Sequence, residues 1–371
     1  MVSRLESLLV DQTPVVRLEN HFLRVDVAPG IGGRIVHVQD KGTGYEFLWH
    51  NERLRLERSA PGSAYDPHFY GGVDEVLPSD VPEFFNGVMN ADHGELWTLP
   101  LDSRMDGDAL ALAGVLPSCG LAYERRLSLK ADEPVIFLDY RLENRADGRR
   151  IFLWKMHAAL HIEPGDQIVC PARKASVADP QWSRWGADEY IRDVEPFSWP
   201  CVGLGGLSQT PHCVGGLPEG TVGRPRGQAV TDPPLAWGAC RPVPASPWSS
   251  SASVTDPPLA WGACRRADLI PPPDGTTDFI FLYDLQDGTM GWRSHSRGLE
   301  FTVHFDRRVF PYACYFASYG GLDGHYTAIL EPCTAMPVSV NEAARLGQCS
   351  SLEPGEQIVT RVTVYAGPVR V

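Results

Sequence analysis

Three apolar segments follow one another between residues 121 and 162: LAYERRLSLK, PVIFLDYRLEN and RRIFLWKMHAALHI, parted only by ADE and RADG. Short polar connections of this kind join antiparallel neighbours, so we read a meander of strands. The theme recurs. Phe22 to Val27 alternate, with Leu23, Val25 and Val27 on one face, and IVHVQD resumes after the turn APGIGGR. TDFIFLYDL, GLEFTVHFD and EQIVTRVTVYA continue it toward the end. Helix signals are few; VNEAARLG, 340–347, is one short helix, with Asn341 as a candidate N-cap and Gly347 as its stop. The 36 glycines and 32 prolines suit the many turns this pattern needs. The expectation is an all-β chain: one large antiparallel β-sandwich over residues 1–371, without the even spacing of propeller blades.

One stretch stands outside the pattern. VTDPPLAWGACR occurs at 230–241 and again, letter for letter, at 254–265, with PVPASPWSSSAS between. Two copies do not make a solenoid, which needs at least three stacked units. We read a local duplication in a surface excursion covering about 220–265, irregular and remote from any site. Loop closure entropy grows only logarithmically with length, so such an insertion costs little.

The balance of charge narrows the partners. Lys and Arg total 33 against 46 acids, a net charge of −13. That disfavours nucleic acid or an anionic membrane, since both need positive surface. No apolar window approaches 18 residues, and Met1 to Leu9 lacks the apolar run of a signal peptide. The nine cysteines are odd in number and contain no CxxC pair. They read as free thiols of a cytoplasmic protein, not as a zinc site.

Three stations carry residues suited to chemistry. The first, YGGVDEVLPSDVPEFFNGVMNADHGELW, brings Asp74 and Glu75 in a Gly-rich loop, then His93, Glu95 and Trp97. In the second, FLWKMHAALHI, strand alternation puts Trp154, Met156, Ala158 and Leu160 on one face and Lys155, His157, Ala159 and His161 on the other. The third, YTAILEPCTAMP, is a strand that ends at Glu331, where Pro332 stops regular pairing. Taken singly, a histidine near a turn or an acid before a proline is usually structural.

Their order resembles the galactose mutarotase-like superfamily, the aldose 1-epimerases and their relatives. LRVDVAPGIGGRIVHVQDKGTGYEFLW is similar to the family's first strands, NADHGELW to its first histidine motif and KMHAALHI to its second. ILEPCTAMPVSVNEAARLG, followed by SLEPGEQ, resembles its C-terminal block. The Asn-Arg step that many galactose mutarotases carry before the first histidine is replaced by DPHFYGGVDE. The family's mid-chain aspartate has no evident counterpart, because the duplicated stretch occupies that region.

The resemblance implies a β-supersandwich and an isomerase that interconverts the anomers of an aldose. It makes His157 and Glu331 the catalytic pair and His93 a substrate contact. Ring opening needs a base for the anomeric hydroxyl and an acid for the ring oxygen, and a carboxylate and an imidazole suit both roles near neutral pH. Glu331 would be the base and His157 the acid, and His93 would face the developing alkoxide. Asp74, Glu75, Glu95 and Lys155 are further candidates for binding sugar hydroxyls, and Trp97 for stacking on a sugar face. Neither metal nor cofactor is expected. The expected partner is a small sugar, and the chain is expected to be a monomer or homodimer. Two alternatives stay open: a non-catalytic carbohydrate-binding protein, and another enzyme on this scaffold, either a lyase or a metal-dependent isomerase using His93, Glu95 and His157.

Overall fold

A computed structural model describes residues 6–185, 196–202 and 265–370. The chain divides into two compact units, residues 1–205 with 264–371, and residues 206–263. The second unit lies outside the described residues, and with it the duplicated stretch at 220–265 apart from Arg265.

The first unit is built of antiparallel strands. Six of them form a contiguous run within an 11-stranded sheet: β1 (Val73–Val76), β2 (Lys155–His161), β3 (Ala172–Val177), β4 (Thr276–Leu285), β5 (Tyr312–Tyr319) and β6 (Tyr326–Cys333). Their order across the sheet is β1-β2-β6-β5-β4-β3. Every pairing among them is antiparallel. Arg34–Asp40, Leu23–Ala28, Thr13–Glu19 and Glu6–Val10 extend the sheet beyond β1, and Phe197–Ser198 extends it beyond β3. A second sheet has 8 strands, with Gln357–Pro368, Val135–Asn144 and Leu121–Leu129 adjacent near its middle.

The two sheets face each other across one apolar core. Val25, Val27, Met156, Ala158 and Leu160 of the first meet Tyr123, Leu127, Leu138, Leu142 and Val364 of the second, all buried. Alternation is the reason. Leu121–Leu129 and Val135–Asn144 bury every second side chain over most of their lengths and leave the others partly exposed. This is the large antiparallel β-sandwich expected, and the one α-helix among the described residues, Val340–Arg345, is six residues long.

Four expectations need correction. β6 does not end at Glu331: it stays paired with β5 through Pro332 to Cys333. The meander holds for its first two segments, which pair along their full length. The third breaks: Arg150–Phe152 pairs with Ser350–Leu352, and the chain then crosses to the first sheet as β2. Leu153 and Trp154 allow the crossing because both are fully buried at the passage between layers. The helix is capped by Ser339, whose hydroxyl accepts from Glu342 N–H at 3.2 Å, and not by Asn341. Asn341 instead donates to Glu83 from within the first turn. Gly347 follows the helix with φ 70°, a conformation that favours glycine. Finally, Cys119, Cys170, Cys314, Cys333 and Cys349 are free, but Cys201 is disulfide-bonded. Spacing alone gives no pairing for nine scattered cysteines.

Candidate functional site

The site lies on the face of the first sheet turned away from the core. Because Met156, Ala158 and Leu160 of β2 point into the core, Lys155, His157 and Ala159 point the other way. β1 pairs with β2 so that Asp74 is directly opposite His157. On the other side, Lys155 faces Cys333 and Ala158 faces Leu330, a register that sets Glu331 opposite His157. One row across three strands therefore reads Asp74, His157, Glu331. Glu75, one residue on from Asp74, must face the interior. There its carboxylate accepts from Tyr140 Oη at 2.6 Å and Trp154 Nε1 at 2.7 Å.

The segment between β1 and the second sheet folds back over this row. His93 and Gly94 both take positive φ, 54° and 70°. His93 N–H donates to Asp80 O and Glu95 N–H to Leu77 O, each at 2.9 Å. A Cβ on Gly94 would stand 2.1 Å from Leu77 O, so the His-Gly step needs glycine for close approach as well as for its φ. The fold-back carries Asp80, Asp92 and His93 over the sheet, and Tyr65, ahead of β1, lies beside them.

Together they enclose a cavity of about 270 Å³ whose wall includes His93, His157, Lys155, Glu331, Asp80 and Tyr65. That is just under the roughly 300–1,000 Å³ usual for small-molecule sites. Its aromatic side is Phe69, Phe279, Phe316 and the half-exposed Trp182.

The polar contacts are close. His157 Nδ1 lies 3.0 Å from Asp74 Oδ1, and His157 Nε2 lies 3.9 Å from Glu331 Oε1. Asp74 Oδ2 accepts from Arg34 at 2.7 Å and from Tyr65 Oη at 2.8 Å. Burial alone would raise the Asp74 carboxyl, but the Arg34 charge, with His157 and Tyr65, outweighs it and holds the group at about 2. A carboxylate ionised at all working pH values thus faces Nδ1. Nδ1 is thereby engaged by the acid, and Nε2 is the nitrogen on the Glu331 side of the ring.

Lys155 is buried between two acids, its Nζ 2.8 Å from Asp80 and 2.6 Å from Glu331 Oε2. Burial disfavours its charge, yet the Asp80 and Glu331 charges prevail and raise it well above the ordinary lysine range. It clamps Glu331 by one oxygen and leaves Oε1 turned toward His157. His93 Nδ1 bonds Asp92 at 2.9 Å, and its Nε2 lies 3.8 Å from Asp80. Burial opposes its protonation, but the Asp92 hydrogen bond and the Asp80 and Asp92 charges raise the imidazole above its usual value.

Of the residues singled out in the sequence, His93, His157, Lys155 and Glu331 come together on the cavity wall, with Asp74 directly behind His157. Three do not reach it. Glu75 faces the core. Glu95 turns to Ser118, accepting from its hydroxyl at 2.7 Å, so a ligand set of His93, Glu95 and His157 is not assembled. Trp97 is buried edge-on against Tyr65 and offers no stacking face to the cavity. Tyr65, Asp80, Asp92 and Trp182 also line the cavity, although no station of the sequence singles them out. Asp92 had a signal, its place directly before His93. The others are brought in by chain reversals that no period or motif announces.

The model of a family described as a domain of unknown function, DUF5107, matches residues 10–82. That span holds Arg34, Tyr65, Asp74 and Asp80 but stops short of His93. Among solved structures, the Slr1438 protein of Synechocystis sp. PCC 6803 is 13% identical, with a TM-score of 0.60 over 98% of this chain and 99% of that one. A candidate aldose 1-epimerase from Escherichia coli K12 is also 13% identical, with a TM-score of 0.60 over 96% and 99%. A galactose mutarotase-like protein from Clostridium acetobutylicum is 11% identical, with a TM-score of 0.57 over 99% of both chains. At these identities the likeness is one of fold.

Proposed function

We propose that this galactose mutarotase-like sandwich interconverts the anomers of an uncharged aldose by acid-base opening of the sugar ring. The observation that carries the reading is the 3.9 Å between His157 Nε2 and Glu331 Oε1 inside a sugar-sized cavity. Ring opening acts on two oxygens borne by one carbon, so its acid and base must converge on one point. Glycosidic cleavage instead separates its two carboxyl groups by about 5–9.5 Å.

In this scheme Glu331 Oε1 takes the proton of the anomeric hydroxyl. Protonated His157 gives its Nε2 proton to the ring oxygen as the C1–O5 bond breaks and the carbonyl forms. Rotation about C1–C2 and reversal of the same steps deliver the other anomer. Asp74 stabilises the imidazolium, and His93, raised toward its charged form, faces the oxygen that gains negative charge. Trp182 and Phe316, 6.4 Å apart, supply an apolar platform at the aromatic side.

Charge bears on the substrate class. Asp66, Asp80, Asp92, Asp179 and Glu331 share the wall with Lys155, His93 and His157, and Lys155 is already held by two of the acids. Such a wall repels a phosphate or carboxylate on the sugar.

A second reading, sugar binding without turnover, draws on Lys155. An ammonium 2.6 Å from Glu331 Oε2 occupies one oxygen of the carboxylate proposed as the base. Polarimetry on a panel of neutral aldoses and their phosphates, paired with calorimetric binding, separates the two. The proposed activity predicts accelerated mutarotation of a neutral sugar and none of its phosphate. Binding with mutarotation at the uncatalysed rate supports the second reading and ends the first.

A further inference from the structure

We infer that Tyr65 is a positioning residue that sets both site histidines, its ring fixing His93 and its hydroxyl fixing the Asp74–His157 pair; its effect on turnover rests on the ring-opening reading. Three observations meet at this side chain. Its ring lies flat on the His93 imidazole, with centroids 3.9 Å apart and planes at 5°. Its hydroxyl donates to Asp74 Oδ2 at 2.8 Å and stands 3.3 Å from His157 Nδ1, so Nδ1 has the tyrosine oxygen on one side and, at 3.0 Å, Asp74 Oδ1 on the other. Its own backbone N–H donates to Asp92 Oδ2 at 2.9 Å, while the other oxygen of the same carboxylate takes His93 Nδ1.

Asp92 therefore ties the tyrosine backbone to the ring that the tyrosine side chain supports. The two histidine rings meet edge to face, with centroids 5.9 Å apart at 87° and no hydrogen bond between them. Among the described residues, Tyr65 is the one side chain that contacts both through its ring or hydroxyl and also shares the acid behind each. Trp97, edge-on at 5.1 Å, and Phe69 keep its ring from swinging away.

The two functions are separable, because the ring and the hydroxyl do different things. The groups facing His157 are Asp74 from β1, Glu331 from β6, Tyr65, Asp66 and Phe69 from the segment ahead of β1, and Asp80 and His93 from the fold-back, with Arg34 behind Asp74 and Lys155 two residues before His157 on β2. Tyr65→Phe removes only the hydroxyl. Asp74 then loses a donor at 2.8 Å, becomes a stronger acceptor, and holds the imidazolium of His157 more firmly. The stack on His93 stays.

The test is histidine NMR titration of the whole protein, with ring signals assigned from His93→Gln and His157→Gln. In Tyr65→Phe the midpoint of His157 moves up by roughly 0.5–1 unit, a fraction of a charge-assisted hydrogen bond, while that of His93 stays. In Tyr65→Leu both midpoints move. Thermal unfolding identifies any variant that does not fold, and Tyr65→Phe, which keeps every apolar contact, decides the question if Tyr65→Leu is unstable. An unmoved or lowered His157 midpoint in Tyr65→Phe, or equal shifts in both histidines, overturns the inference. The titration needs no substrate. A wild-type protein inert toward every sugar would therefore sink the ring-opening reading and leave this result to stand or fall alone. With an active wild type, Tyr65→Phe lowers kcat roughly 10- to 100-fold at little changed KM, the mark of misplaced chemistry and not of lost binding.

Discussion

At the scale of single residues the cavity is a set of charges that hold one another in place. His93 shows this most simply. Its folded-state value is raised, so it contributes stability that is full below about 6.5, its unfolded value, and that is lost as pH rises through the folded value. Thermal unfolding followed from pH 6 to 9 should show this loss, and His93→Gln should flatten the curve. Asp92→Asn should lower the NMR midpoint of His93; an unchanged midpoint would remove Asp92 from the account. Lys155 has a larger effect. Lys155→Met leaves Asp80 and Glu331 as buried like charges, and denaturant titration should register a loss on the order of 3–5 kcal/mol. His93, His157, Lys155 and Glu331 were legible in the sequence because strand parity and motif order select them. Glu75 misled for the same reason that Asp74 did not: adjacent strand residues face opposite ways, and the face cannot be assigned before the register is known.

Elements explain what residues cannot. The strands were legible from alternation and composition, but the path between layers was not. RRIFLWKMHAALHI reads as one strand and is two, split where buried Leu153 and Trp154 pass from one sheet to the other. The fold-back after β1 was equally hidden, since it depends on backbone geometry at His93 and Gly94. Gly94→Ala sets a methyl against Leu77 O in a positive-φ backbone. Urea unfolding should show a loss on the order of 2–3 kcal/mol, and the cavity should lose function before the sandwich unfolds. The duplicated stretch makes a contrasting case. Cys201–Val202 pairs antiparallel with Arg265–Arg266, so the chain leaves and returns at adjacent points. Removing one 24-residue repeat unit changes the closure entropy by only about 0.4 kcal/mol. The midpoint of unfolding should stay within a degree or two; a collapse of the fold would show that the stretch is structural.

The whole molecule assigns its two sheet faces to two tasks. The core face of the large sheet joins the second sheet in one apolar layer, and the opposite face carries Asp74, His157 and Glu331 in a row on three adjacent strands. A row fixed by hydrogen-bonded register is rigid, and the proposed ring opening would demand such placement of its acid and base. The all-β architecture was legible from the sequence because dozens of residues vote for it. The site depends on a few residues brought together from the fold-back and three strands, so motif order could suggest it and only geometry could assemble it. The most direct test is the rate of anomer exchange on a neutral aldose, read by NMR magnetisation transfer for the wild type, Glu331→Gln and His157→Gln. Clear acceleration by the wild type and a loss of about 10²- to 10⁴-fold in both folded variants is the predicted result. No acceleration on any aldose, or a Glu331→Gln variant as fast as the wild type, would contradict it.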